Sequence, residues 1–198
     1  MSTQPSTFLT PEQYLEIERK AEYKSEYFGG EMFAMSGGSR EHNLLSGNLF
    51  AILHPQLRKR GCEIYTSDMR VRVTHTGLYT YPDVIAVCGK SRFTDDKVDT
   101  LANPTFLAEV LSPSTEAYDR GRKFEHYRSL ESLSEYLLVA QDRLHADLYT
   151  RQTDGRWVLM EASRAEDTLE LRSIACQISM ADLYETVSLP PEPAHPPD

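Results

Sequence analysis

The chain has 198 residues, of which 40% are hydrophobic and 26% are charged, and its formal net charge at pH 7 is -9. These values describe an ordinary soluble protein with one domain, and they exclude a membrane-spanning chain because no apolar run approaches the required length. The acidic balance argues against a general nucleic-acid coat protein, since nonspecific affinity comes from neutralising phosphates, but it allows a nuclease with an acidic site.

The cysteines and the N-terminus indicate a cytoplasmic protein. Cys62, Cys88 and Cys176 are odd in number and form no CxxC pair. They predict neither a zinc cluster nor a disulfide framework, and we expect them to be reduced. The polar N-terminus is not followed by the apolar segment of an export signal.

The first predicted elements are a helix, a hairpin and a second helix. Thr10 and Pro11 form the start signal of the first helix, and the glycine pair at residues 29–30 separates two short strand-like runs. The second helix begins near Ser39, and Pro55 should kink or end it. His42, in its first turn, could reach a substrate phosphate or an active-site carboxylate, or it could be a capping or packing residue.

Two strands are predicted next, at residues 62–65 and 69–73. In the second strand, polar and apolar residues alternate, which places Arg70 and Arg72 on one face. These arginines should be exposed, and they could hold phosphates if their face borders a cleft.

The most informative stretch contains two buried strands that each carry a carboxylate. Asp83 opens the apolar run at residues 83–87, and Glu109 lies inside the run FLAEVL at residues 106–111. An unpaired charge at Glu109 would cost several kcal/mol. It must therefore be offset by a lysine or arginine, by a metal ion, or by protonation at a raised pKa.

A shared metal ion is the solution that the expected strand pairing favours. If the two runs form an antiparallel pair, Asp83 lies near Glu109, with β-carbons about 5 to 8 Å apart. Two converging carboxylates repel each other unless a cation lies between them, and oxygen ligands suit Mg²⁺ or Mn²⁺. The rival interpretation is a buried salt bridge between Glu109 and Lys123, with Asp83 capping a turn.

The helix predicted after the Glu109 strand could supply a positively charged side chain to offset Glu109. Asp119, Lys123 and either His126 or Tyr127 share one face of it, and a crossover to a strand at residues 135–140 would lay this helix on the sheet. Farther along, residues 144–151 and 156–161 predict another hairpin. We expect one domain at residues 10–187, a flexible N-terminus at residues 1–9 and a disordered Pro-rich tail at residues 188–198.

An ordered set of motifs resembles the PD-(D/E)XK nuclease superfamily, and within it the Uma-two family of restriction-endonuclease-like proteins. The motifs are YFGGE at residues 27–31, HNL at 42–44, SD at 67–68, YPDV at 81–84, EVLSPST at 109–115, DR at 119–120, Lys123 and EYLLV at 135–139. The resemblance spans about residues 10–185. It departs from the superfamily at Leu111, which stands where the superfamily has a lysine.

The resemblance implies an α/β (α+β) fold. It has a restriction-endonuclease-like core, in which a central mixed β-sheet is flanked by helices, with added N-terminal and C-terminal hairpins. It implies that Asp83 and Glu109 bind Mg²⁺ or Mn²⁺, with the Val110 carbonyl as a further ligand. Lys123 then replaces the missing lysine from the neighbouring helix. Glu31 could join the metal cluster or be a solvated turn carboxylate.

The function implied is a metal-dependent endonuclease that hydrolyses phosphodiester bonds of nucleic acid, with DNA as the expected partner. Cutting both strands of a duplex favours a homodimer. Two alternatives stay open at this stage. One is a catalytically silent nuclease-fold protein that binds or regulates nucleic acid, and the other is a hydrolase of a small phosphorylated molecule.

Overall fold

The computed structural model describes residues 8–191. Its elements in chain order are α1 (Pro11–Glu18), β1 (Ser25–Phe28), β2 (Glu31–Ala34), α2 (Arg40–Arg58), β3 (Cys62–Thr66), β4 (Arg70–Val73), β5 (Leu78–Thr80), β6 (Val84–Cys88), β7 (Thr100–Leu101), β8 (Phe106–Leu111), α3 (Glu116–Tyr118), a π-helical turn (Asp119–Lys123), α4 (Phe124–Arg128), β9 (Glu135–Ala140), β10 (Ala146–Arg151), β11 (Trp157–Ala162), β12 (Thr168–Leu171), β13 (Cys176–Ser179) and α5 (Met180–Leu183). Residues 1–7 of the predicted flexible N-terminus and 192–198 of the predicted tail lie outside the described residues.

A six-stranded mixed sheet forms the centre of the protein. Its strand order is β11-β10-β9-β8-β6-β3. β8 and β9 are parallel, and the other neighbours are antiparallel. Every residue of β8 and β9 is buried, because both faces of the sheet are covered, which explains their continuous apolar sequences. The predicted central mixed sheet is confirmed.

Helix α2 covers one face of this sheet. Leu45, Leu49, Leu53 and Leu57 recur every fourth residue and are fully buried against it. Pro55 was predicted to kink or end the helix, and the predicted end is wrong, since α2 continues to Arg58. The buried leucines on both sides of Pro55 hold the last turn in place and outweigh the cost of about 3 kcal/mol for an interior proline.

A second sheet packs on the opposite face, and the sequence did not predict it as a separate layer. Its strand order is β2-β1-β5-β4-β7. β1 and β2 form the predicted hairpin around Gly29 and Gly30, whose positive φ angles of 60° and 90° suit a tight turn between twisted strands. β1 also pairs with β5, just before the Asp83 strand, and this pairing brings the hairpin to the candidate site.

The C-terminal part adds two hairpins. β10 pairs with β11, as the sequence predicted, and extends the central sheet. β12 and β13 form a separate two-stranded sheet, and α5 follows directly. Buried residues of this part, including Leu169, Ile178 and Leu183, join the core under α2.

Two of the three cysteines form a disulfide, which corrects the prediction that all three are reduced. Cys62 and Cys88 are direct partners in the pairing of β3 with β6, and their Cα atoms are 4.4 Å apart. Spacing in the sequence could not reveal this contact, because it depends on the register of two strands 26 residues apart. Cys176 is a buried free thiol. The cytoplasmic location stays a prediction, now without the support of three reduced thiols.

Membrane-spanning length and apolarity are not combined in any helix within residues 8–191.

Candidate active site

Asp83 and Glu109 lie on the same face of the central sheet. β6 and β8 are antiparallel with Val84 opposite Ala108, so one further step of the register sets Asp83 opposite Glu109. Side chains alternate between the faces of a strand, and both acids share the face of Ile85 and Leu107. The predicted pairing is confirmed, while the roles of the two carboxylates stay predictions.

Asp83 is fixed by a backbone donor and a histidine. The Val110 amide donates a hydrogen bond of 2.8 Å to Asp83 Oδ2, and His42 Nε2 lies 3.2 Å from the same oxygen. His42 stands in the first turn of α2, which Ser39 caps by accepting a hydrogen bond from the His42 amide. The predicted contact of His42 with a carboxylate is observed at Asp83, and the role of the pair stays a prediction.

The charge of Glu109 is offset by Lys123, which is one of the three solutions that the sequence analysis offered. Lys123 Nζ lies 2.9 Å from Glu109 Oε1, and the Tyr127 hydroxyl donates a hydrogen bond of 2.7 Å to that oxygen. The side chains of Lys123 and Glu109 are only 7% and 6% exposed. Both donors come from the helical segment that follows β8.

The geometry of this segment differs from the predicted α-helix. Residues Asp119–Lys123 form a π-helical turn, in which each turn contains more than four residues. Lys123 Nζ still lies 3.4 Å from Asp119 Oδ1, and Tyr127, one turn later, faces Glu109. His126, the other residue considered, packs against the Phe28 ring at a centroid distance of 4.6 Å.

Glu26 is a member of the cluster that sequence reasoning missed. Its Oε1 lies 3.2 Å from Lys123 Nζ and accepts a hydrogen bond from the Thr80 hydroxyl. Glu31, the acid considered instead, is exposed beside the hairpin turn. The spacing of the hairpin gave no signal, because Glu26 reaches the site only through the long-range pairing of β1 with β5.

The cluster carries more acidic than basic groups. The carboxyl groups of Glu26, Asp83, Glu109 and Asp119 lie around Lys123 and His42. Burial raises the pKa of Glu109 to about 8, and the charges of Asp119 and Asp83 add to the rise, while Lys123 opposes it. Burial also raises the pKa of Asp119. The acidic excess of the cluster therefore favours either a retained proton or a bound cation.

The acidic neighbours raise the pKa of both basic groups of the cluster. Burial opposes protonation of Lys123, but the charge of Glu109 outweighs it, and the pKa of Lys123 is well above its ordinary value. Burial likewise opposes protonation of His42, yet its hydrogen bond to Asp83 raises the pKa of His42.

The donor set fits a hard divalent cation. Every contact given above uses Oδ2 of Asp83 and Oε1 of Glu109, and within residues 8–191 no hydrogen bond engages Asp83 Oδ1 or Glu109 Oε2. Carboxylate oxygens are the ligands that Mg²⁺ and Mn²⁺ prefer. Val110 lines the same cleft, so its carbonyl stays the predicted third ligand.

The cluster opens into a cleft of about 570 Å³. Serine and threonine side chains of the loop after β8 and the residues that lead into α2 line its walls. Arg70 and Arg72 are not among the lining residues. Arg70 is buried, where it donates to Thr100 and Tyr81, which contradicts its predicted exposure.

A second group of metal-binding side chains lies outside this cleft. His145, Asp147 and Glu161 bring one ligand atom each within 4.8 Å of one another, which makes them a candidate acidic triad for a metal ion. Asp147 is also ion-paired with Arg120, whose charge competes with a bound cation. The sequence prediction did not include this group, because its members come together only when β10 pairs with β11.

Comparison with known proteins identifies the family. The family model "Uma2: Putative restriction endonuclease" matches residues 11–182. An uncharacterized protein of Synechocystis sp. is 39% identical over 182 residues, which cover 91% of this chain and 93% of that protein. A second uncharacterized protein of the same organism is 38% identical over 153 residues, or 77% of this chain and 86% of that protein.

A solved structure has the same fold. The crystal structure of "a putative nuclease belonging to DUF820" from Anabaena variabilis superposes with a TM-score of 0.71 at 17% sequence identity, covering 89% of this chain and 98% of that chain. The family that the motifs indicated is therefore the one observed. The chain belongs to the Uma2 family of restriction-endonuclease-like proteins.

Proposed function

We propose that the protein is a divalent-metal-dependent endonuclease that hydrolyses phosphodiester bonds of nucleic acid, with DNA as its substrate. One observation carries the proposal: the buried carboxylate of Glu109 and the partly buried carboxylate of Asp83 come from neighbouring antiparallel strands and face one cleft, each with an unused oxygen, and the Lys123 ammonium lies against Glu109. Membership of the Uma2 family supports the reaction class.

Asp83, Glu109 and the Val110 carbonyl would hold Mg²⁺ or Mn²⁺. Bound there, the cation would lower the pKa of a water molecule and polarise the phosphodiester group. Lys123 would orient the attacking water or offset charge that develops on the phosphate, because its ammonium lies 2.9 Å from Glu109.

Other residues of the chain position these groups. The Val110 amide and His42 fix one oxygen of Asp83, so that its second oxygen points to the ligand. The Tyr127 hydroxyl does the same for Glu109. Glu26 and Asp119 keep Lys123 charged and restrict its movement. Restricting the rotamers of catalytic groups reduces the reorganisation needed at the moment of reaction.

The decisive experiment compares cleavage with and without metal on several substrates. Plasmid DNA, single-stranded DNA, RNA and a phosphodiester monomer are incubated with Mg²⁺, Mn²⁺ or EDTA. We expect metal-dependent cleavage of DNA, and a loss of about 100-fold or more in Asp83→Ala with DNA binding retained. Glu161→Ala is the matched control, since it removes an exposed acid from the other candidate metal group.

The alternatives give different results in the same experiment. Binding of DNA without cleavage under any metal contradicts the proposal and supports a silent nuclease-fold protein. Cleavage of the monomer alone supports a hydrolase of small phosphorylated molecules. Loss of cleavage in Glu161→Ala but not in Asp83→Ala would indicate that the catalytic metal site is the group of His145, Asp147 and Glu161.

We also propose that the protein acts as a homodimer, because cleavage of both strands of a duplex, including one that is locally opened, requires two sites. Light scattering of the purified chain tests this, and a monomer at the concentrations that cleave a duplex contradicts it.

A further inference from the structure

An exposed aromatic ring stands beside the acidic cluster. Phe33 is 49% exposed, and in the β1–β2 register its Cα partner is Glu26. Side chains of directly opposite residues lie on the same face, with β-carbons about 5 Å apart. Since Glu26 Oε1 lies 3.2 Å from Lys123 Nζ, the phenyl ring borders the group that would handle the phosphate.

The ring of Phe33 does not hold the hairpin in place. Met32 points to the other face of β2, where it packs with the buried Tyr14, Tyr27 and Tyr79. Phe33 and Met35 alternate with it and line the cleft. β2 is also the edge strand of its sheet, so no strand among residues 8–191 pairs with its outer edge, and half of the Phe33 surface is exposed. The ring is therefore available to a molecule in the cleft.

The cleft thus combines two recognition elements that match a nucleotide. The acidic cluster would suit a phosphate once it holds a cation, and Phe33 supplies a flat apolar surface at the rim. Resting on the proposed function, we propose that Phe33 stacks on a nucleobase next to the scissile phosphate, and that this base is unpaired. In an intact duplex both faces of a base are already stacked, so the preferred substrate is single-stranded or locally opened nucleic acid.

Binding to a fluorescent oligonucleotide tests the stacking. A short single-stranded DNA carries one 2-aminopurine, at each position in turn, and is titrated with the full chain in Ca²⁺, which separates binding from turnover. We expect anisotropy to report binding and the 2-aminopurine fluorescence to be quenched at the stacked position. Removal of a stacking ring should weaken binding by roughly 5- to 150-fold.

Three variants make the comparison specific. Phe33→Ala should lose the quenching and the affinity, whereas Phe33→Tyr, which keeps a ring, should retain both. Phe8→Ala is the matched control, because Phe8 is also exposed, at 65%, but does not line the cleft. The fully paired duplex of the same sequence should bind more weakly and without dependence on Phe33. Thermal unfolding checks that each variant is folded.

The outcomes separate this inference from the proposed function. The inference is overturned if the Phe33→Ala variant binds the oligonucleotide and quenches the 2-aminopurine fluorescence as the wild type does. That holds even if Mn²⁺ then supports cleavage. Binding that depends on Phe33 without cleavage upholds the stacking and contradicts the hydrolysis. A wild-type chain that binds neither oligonucleotide overturns both.

Discussion

Glu109 shows how an acid is retained inside a sheet. Its Oε1 receives the Lys123 ammonium and the Tyr127 hydroxyl, so one oxygen is fully engaged while the other is left for a ligand. The sequence identified the residue, because a charge among apolar neighbours requires compensation. It could not choose between a salt bridge and a metal ion. The structure contains the contact with Lys123, and metal binding by the second oxygen stays a prediction.

The raised pKa of Glu109 predicts how metal-free stability depends on pH. The pKa rises from its ordinary value near 4.5 to about 8 because of burial. Between these values the native chain binds one more proton than the unfolded chain, so raising the pH favours unfolding, by at most about 1.4 kcal/mol per pH unit. Urea unfolding in EDTA from pH 5 to pH 8 measures the slope.

Glu109→Gln isolates the contribution of this carboxyl group. His42 and Asp119 also have raised pKa values, and the stability that they contribute is likewise lost as the pH rises, so the wild-type slope contains all three groups. The glutamine variant should have a shallower slope, while addition of Mn²⁺ should stabilise the wild type more at pH 8 than at pH 6. Equal slopes in the two proteins would show that Glu109 ionises normally.

At the scale of elements, the β1–β2 hairpin contributes residues to the candidate site as well as to the second sheet. It brings both Glu26 and Phe33 to the cleft, and its turn depends on Gly29 and Gly30. The turn was predictable, because a glycine pair between two short runs indicates a hairpin. Its position against β5 was not, since no local pattern specifies which strand a hairpin edge will join.

Replacing a turn glycine should destabilise the protein. Gly30 has a φ of +90°, and a Cβ there would lie 2.5 Å from a Phe8 ring carbon, so Gly30→Ala should cost about 1 to 2 kcal/mol. Gly47, an exposed glycine of α2 with open space around it, is the control: Gly47→Ala should stabilise by about 0.5 to 1 kcal/mol. Urea midpoints measure both, and equal effects would contradict the assigned turn.

At the scale of the whole molecule, the sequence predicted the architecture better than the contacts between layers. The continuous apolar runs of the sequence predicted strands β6, β8 and β9, and the ordered motifs identified the family. The second sheet, Glu26 and the disulfide were missed for one reason. Each depends on which strands become neighbours, and strand pairing over long separations leaves no local signal in one sequence.

The disulfide should contribute to global stability. It links positions 26 residues apart, and crosslinks of such span typically contribute about 2 to 4 kcal/mol by restricting the unfolded chain. Cys62→Ser with Cys88→Ser should lower the free energy of unfolding by that amount and leave the Cys176 thiol unchanged. Thiol titration of the denatured wild type should find one free thiol, and three would return all the cysteines to the reduced state first predicted.

The ion pair between Lys123 and Glu109 has a practical consequence. Because the Lys123 ammonium and the Tyr127 hydroxyl already contact the buried Glu109 carboxyl group, removing a metal ion with a chelator should leave the fold intact while abolishing the proposed cleavage. Spectra that show a folded protein after purification would then not show whether the protein is catalytically active. Lys123 therefore stabilises the site in the absence of a metal ion. A preparation without cleavage activity should be supplied with Mg²⁺ or Mn²⁺ before it is judged inactive.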